Sequence, residues 1–272
     1  MEFLISDEQI ELLLSDLIDT YGYDFTDYTK ASLKRRINRI YSLDSFPSFA
    51  EFRYRVRTDE NYFSHFIEQV TVNVTEMFRD PSLFKYLSTE ILPVLATYPF
   101  IRIWHVGCST GEEPFSMAIL LKEANLLHKT LIYATDINPA VVKKAKEGIF
   151  PIQQMQKNSE NYRLAGGKQD FSSYYTAGYN QVIFDKELSK RMVFSTHNLV
   201  SDSSFNQFQL IVCRNVLIYF EKELQGRVFE LFDESLDKLG YLALGSKESL
   251  RIFPGISRFR QLGKEKIWRK IS

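Results

Sequence analysis

Apolar positions in the first part of the chain recur three and four apart, and those after residue 100 come in short blocks. Asp7-Glu8-Gln9-Ile10-Glu11-Leu12-Leu13-Leu14 opens with acids and continues at helical spacing, which predicts a first helix. A second is predicted over Phe25 to Tyr41, with Leu33, Ile37 and Ile40 on one face and Lys30, Lys34, Arg35, Arg36 and Arg39 elsewhere. Phe49 to Val56 and Tyr62 to Val70 predict two more. Strand alternation is lacking here, so a small all-α domain is expected over residues 1–80, joined by a linker and connecting helix at 81–98. Pro81 suits the first turn of that helix, predicted over Ser82 to Leu92.

From residue 99 to 272 the rhythm becomes strand–helix alternation, which predicts a parallel sheet in an α/β domain. Strands are expected at 101–106, at Leu131 to Thr135, and at Met192–Ser195, Leu210–Cys213 and Tyr241–Leu244. Helices are expected from Pro139 to Glu147 and from Lys222 to Leu236. A polar stretch of about 151–190 interrupts the alternation. Within it, Tyr174-Tyr175 and Gln181-Val182-Ile183-Phe184 flank Gly178 as a small hairpin does.

Composition narrows the class. The 34 basic and 34 acidic residues cancel, so no global field draws the chain to nucleic acid or membrane. No apolar run approaches the ~20 residues of a membrane span, and the acidic, interrupted start does not read as a signal peptide. Cys108 and Cys213 lack CxxC spacing, so free thiols in a cytoplasmic protein are expected, with no metal site.

The most informative stretch is Arg102-Ile103-Trp104-His105-Val106-Gly107-Cys108-Ser109-Thr110-Gly111, followed by Glu112-Glu113-Pro114. A strand, a glycine-bounded turn and a helix with proline in its first turn make the opening βα unit of a nucleotide-type site. Gly107 lets backbone approach a ligand closely. Asp136 ends the second strand 25 residues after Gly111, where a carboxylate can accept from both hydroxyls of a ribose. By itself this pair fits dinucleotide enzymes, methyltransferases, and loops that bind nothing. Ser109 stands where a dinucleotide fingerprint has its second glycine, which shifts weight from NAD toward S-adenosylmethionine, a nucleoside without phosphates.

Five blocks in order then carry a resemblance: Asn73-Val74-Thr75-Glu76-Met77-Phe78-Arg79-Asp80, Gly107 to Pro114, Ala134-Thr135-Asp136-Ile137, His197-Asn198-Leu199, and Cys213-Arg214-Asn215-Val216-Leu217-Ile218-Tyr219-Phe220. Over nearly its whole length the chain resembles the CheR-type chemoreceptor-glutamate O-methyltransferases. The resemblance implies an N-terminal helical domain facing the receptor, a Rossmann-like methyltransferase domain, and a small β-subdomain inserted in it. It assigns Asn73, Thr75 and Arg79 to the cofactor pocket, Glu113 to the methionine end and Asp136 to the ribose. Asn198 and Leu199 would flank the adenine, while Arg214, Asn215 and Tyr219 line the methyl-transfer face. Met77 departs from the family's usual aromatic residue, and Ser246-Lys247-Glu248 from its usual run after the last strand.

The implied reaction moves a methyl group from a sulfonium to a carboxylate that is already ionised at neutral pH, so it requires no general base. His197 reads as a packed strand-end residue. Arg79 and Tyr219 are the expected acceptor-holding residues, since a guanidinium and a phenol can grip a carboxylate without becoming nucleophiles. Singly, each has a plain alternative: Arg79 a helix-start anchor, Arg214 and Asn215 a solvated turn, Glu113 a complement to a helix N-terminus. The basic set on the second helix is either a solvated face or a docking surface for an acidic helical partner. A nucleic-acid methyltransferase is disfavoured because Asn215-Val216-Leu217-Ile218-Tyr219 lacks the paired prolines of amino-methylating sites. A catalytically silent cofactor sensor is disfavoured because Arg79, Asp136, Arg214 and Tyr219 are retained.

Overall fold

The structure is a computed structural model that describes residues 5–71 and 75–272. Four helices come first: α1 (Asp7–Tyr21), α2 (Lys30–Leu43), α3 (Phe49–Thr58) and α4 (Glu60–Val70). Ser6 and Gln9 cap α1 reciprocally, and Gly22 ends it in a left-handed conformation. Leu13, Leu17, Phe25, Ile37, Phe52, Phe66 and Ile67 meet in one buried cluster. α2 starts later than its apolar pattern predicts. Asp24 accepts from the Thr26 N–H in a tight turn, and Phe25 is spent on the core ahead of the helix.

Next, α5 (Pro81–Tyr86) runs through a π turn at Leu87–Ile91 into α6 (Leu92–Leu95). Residues 81–98, expected as a linker and connecting helix, are largely helical and pack onto the sheet. Leu83, Leu87, Ile91 and Leu95 recur every four residues and are all buried in the core under the sheet. The π turn keeps that stripe facing inward.

The remaining strands and helices are β1 (Ile101–Val106), α7 (Glu112–Glu123), β2 (Thr130–Asp136), α8 (Pro139–Glu147), β3 (Ile149–Pro151) and α9 (Met155–Leu164). They continue with β4 (Tyr175–Ala177), β5 (Gln181–Phe184), α10 (Lys186–Ser189), β6 (Met192–Thr196), β7 (Phe208–Cys213), α11 (Lys222–Ser235), β8 (Leu236–Leu244), β9 (Phe259–Leu262) and β10 (Ile267–Lys270). Seven strands form one sheet in the order β6-β2-β1-β7-β8-β10-β9. The first five are parallel, and β10 pairs antiparallel with both β8 and β9. Both faces are covered. Ile101 and Ile103 point to the α5–α7 side, Trp104 and Val106 to the α11 side, as the pleat requires. The β9–β10 hairpin had no counterpart among the expected strands.

The interrupting stretch folds as a three-stranded antiparallel sheet, β3-β5-β4, in which β4 and β5 form the expected hairpin. It also carries α9, whose polar composition hid it. Asn158 and Asn161 of α9 are buried because they clasp the backbone of Met77. The sheet order reverses between β1 and β7, so β1 and β7 open a crevice at their carboxyl ends.

Candidate functional site

At that crevice the β1–α7 loop and the end of β2 build one wall. Gly107 has φ +67°, and a Cβ there would lie 2.4 Å from Cγ2 of Val216, so only glycine fits beneath that side chain. Ser109 adopts φ +50° and donates its N–H to Oδ2 of Asp136 at 2.9 Å. Oδ1 of Asp136 accepts from the Asn138 N–H at 3.0 Å. The two carboxylate oxygens thus accept from backbone N–H groups and keep acceptor capacity for a ligand. Burial pushes the Asp136 carboxyl above its ordinary pKa, against the opposing backbone donors.

A buried polar chain forms the floor. Arg214, at the end of β7, donates to Oε2 of Glu113 at 2.8 Å, to Oδ2 of Asp80 at 2.5 Å and to the Arg79 carbonyl at 2.9 Å. Oε1 of Glu113 lies 2.9 Å from Nδ1 of His105, which carries the proton that a carboxylate neighbour demands. Burial raises the Glu113 pKa, but the His105 hydrogen bond and the Arg214 charge outweigh it and hold the carboxyl below its usual range. Sequence reasoning missed His105. Its only signal was a polar residue inside an apolar strand, eight positions before Glu113.

Arg79 sits between two left-handed residues, Phe78 at φ +53° and Asp80 at φ +57°. That bend is held from three sides. Ser116 of α7 accepts from the Phe78 N–H, α9 clasps Met77, and Arg214 pins the Arg79 carbonyl. The Met77 side chain is fully buried in the core rather than facing the crevice, so its departure from the family's usual residue is a packing matter.

The helical layer closes the crevice. Thr29 donates its N–H to the Tyr219 carbonyl at 2.8 Å, Glu221 donates to the Asp27 carbonyl at 2.9 Å, and Tyr28 bridges to Phe220. Arg36 of α2 donates to the Val70 carbonyl at 2.6 Å and lies over the Tyr219 ring at 5.0 Å. The expected basic face is corrected accordingly. Lys30 and Lys34 pair with Glu11 and Asp7 of α1, Arg36 turns into the crevice, and only Arg35 and Arg39 are exposed without an ion pair among the described residues.

Together these walls enclose a cavity of about 1020 Å³, its open mouth included. Thr75, Arg79, Gly107, Glu113 and Asp136 line it, as do Leu199, Arg214, Asn215 and Tyr219. Asn198 is not among the described lining residues. Its side-chain oxygen accepts from the Val200 N–H, which makes it a turn former in this structure. Asn73 lies outside the described residues. Unforeseen lining comes from Tyr28, Arg36, Thr135, His197 and Val216, which reach the cavity through long-range packing. Burial lowers the His197 pKa, against the Ser203 hydrogen bond and the Asp202 charge.

The residues present fit a nucleoside. The cavity has a glycine where backbone must approach and a carboxylate with spare acceptor capacity for a ribose. They also leave an arginine and a phenol at its helical side. Among the described residues, no group of three or more His, Cys, Asp or Glu side chains is arranged to hold a metal, and no helix is long and apolar enough to cross a membrane.

Comparison with known proteins adds two family matches. Residues 73–265 match the model of the CheR methyltransferase, SAM binding domain, and residues 8–71 that of the CheR methyltransferase, all-alpha domain. A Pseudomonas putida protein with the provisional name methyltransferase Cher3 is 47% identical over 97% of each chain. The chemotaxis protein methyltransferase of Listeria innocua is 32% identical over 84% of this chain and 85% of its own. That of Borreliella burgdorferi is 28% identical over 91% of this chain and 90% of its own.

Proposed function

Because this chain belongs to the CheR methyltransferase family, we propose that it methylates glutamate side chains of chemoreceptors in the cytoplasm, using S-adenosylmethionine. The observation that carries this reading is the joint lining of one cavity by the nucleoside-type wall and by Arg79 and Tyr219. Bound S-adenosylmethionine supplies an electrophilic methyl group on a sulfonium. Asp136 would hold the ribose hydroxyls, Glu113 the ammonium of the methionine end, and Leu199 the nucleobase. Thr75, Gly107 and Asn215 would complete the contacts.

Arg79 and Tyr219 would grip the acceptor carboxylate and aim one oxygen along the line of transfer. The helical layer over the cavity supports this by excluding water from groups whose charges diminish as the methyl group moves. Since the acceptor is already an anion, His105 and His197 have no proton to remove. Arg35 and Arg39, exposed and unpaired among the described residues, are the α2 residues left to meet an acidic receptor helix.

The test is incubation with methyl-labelled S-adenosylmethionine and membranes containing chemoreceptors. Label on the receptors should be released as methanol by mild alkali, as a carboxylate ester requires. Alkali-stable label, or none, refutes the reading.

A further inference from the structure

We propose that Glu248 is a positioning residue that sets the loop carrying Asn215 and Tyr219 into the cavity; its kinetic consequence rests on the methyltransferase reading above. Glu248 follows β8 and is 4% exposed. Its Oε1 accepts from the N–H groups of Val216 at 2.9 Å and Leu217 at 2.8 Å. Its Oε2 accepts from Asn215 at 3.1 Å and Gly245 at 2.6 Å. About four lone-pair directions are available on a carboxylate, and four backbone donors use them. The charge has no ion pair among the described residues. It is held by peptide dipoles, as an anion is at a nest of N–H groups.

Two further observations tie this arrangement to the cavity. A Cβ on Gly245 would lie 2.7 Å from Oε2 of Glu248 and 3.0 Å from the Asn215 nitrogen, so glycine is required for the carboxylate to enter. Asn215 has φ +60°, a left-handed conformation in which asparagine is enriched, and Glu248 accepts from its N–H and from the next two. The side chain of Val216 then lies against Gly107, while the turn Leu217–Tyr219 carries the phenol to the helical side. The sequence signal was the run Ser246-Lys247-Glu248. The first two of these are exposed and only the third turns inward.

Glu248→Gln tests the role. In either orientation the amide offers one oxygen to two N–H groups and turns its NH₂ donor onto the other two. Hydrogen exchange of the amides of 215–217 should accelerate about tenfold or more, and S-adenosylhomocysteine should bind about tenfold more weakly by calorimetry. The kcat for receptor methylation should fall by a similar factor. Glu248→Asp, which keeps the charge on a shorter stem, should lie between the two and serves if the amide variant does not fold. Asp233→Asn is the stability control, because Asp233 is clamped by Arg258 and Lys270 and does not line the cavity. It should lower Tm without changing exchange at 215–217 or ligand affinity.

Unchanged exchange and affinity in Glu248→Gln overturn the proposal, as does an equal loss of both in the control. If wild-type protein leaves receptors unmethylated, the functional reading fails, and exchange and ligand binding still decide the role of Glu248.

Discussion

Replacing Arg214 by methionine should expose how strongly the floor of the cavity depends on one buried cation. The Arg214 side chain is 2% exposed and donates to Glu113, itself only 17% exposed. Methionine fills a similar volume and removes the charge, leaving the Glu113 carboxylate buried with His105 as its sole side-chain hydrogen-bond partner among the described residues. Breaking a buried pair from one side costs about 3–5 kcal/mol. Asp80, at 44% exposure, adds little, because water screens an exposed partner. For a chain of this size, the loss corresponds to a Tm lower by roughly 6–20 °C.

The pH dependence sharpens this expectation. In the wild type the Glu113 pKa is depressed, so its contribution is fully present above the ordinary carboxyl value and disappears as pH falls through the lower folded value. In Arg214→Met the Arg214 contribution to that depression is gone, leaving His105 alone to oppose burial. The folded pKa of Glu113 therefore moves up from its wild-type position, and less of the variant's stability remains to be lost as pH falls. Differential scanning fluorimetry from pH 8 to pH 5 should therefore find the gap between wild type and variant closing toward acid. A variant within about 2 °C of wild type at pH 7.5, or a gap that widens toward acid, would refute the reasoning.

Other expectations follow from the same geometry. Asp136→Ala should weaken S-adenosylhomocysteine binding by about 2–3 kcal/mol, read by calorimetry, and unchanged affinity would remove Asp136 from the ribose. Tyr219→Phe keeps the ring under Arg36 and loses only the hydroxyl, so receptor methylation should lose kcat while cofactor affinity holds. Equal losses in both would count against acceptor alignment. Reversing Arg35 and Arg39 to Glu should raise the apparent KM for receptor at low ionic strength by a moderate factor that shrinks with salt. A salt-independent effect would mean that α2 does not dock the receptor through charge.

The parts legible in the sequence were those with local signals. The β1–α7 unit is written as an apolar run, two glycines and a proline, and Asp136 stands at a strand end, so both could be read from neighbours alone. Residues whose role depends on distant partners were not legible in that way. Arg36 is one of five basic residues on its helix, and only the fold decides that it turns toward Tyr219 while Arg35 faces water. α9 has a composition too polar for periodicity to find, because its buried asparagines satisfy a backbone 81 and 84 residues upstream. Residues 81–98 carried a clear apolar stripe, but where it packs could not be read locally because its partner, the sheet, lies entirely downstream.

The segment Asn215–Glu221, gripped from one side by Glu248 and from the other by Asp27 and Thr29, bears on the order in which the protein can become competent during synthesis. The helices that contribute Arg36 leave the ribosome first and can pack around their own core. Tyr219 emerges long afterwards, and the carboxylate that shapes its loop follows 29 residues later still. Until then the left-handed turn at Asn215 lacks its four-donor anchor, and the cavity lacks a settled wall. A nascent or truncated chain can thus be largely folded at its start and still be unable to consume cofactor.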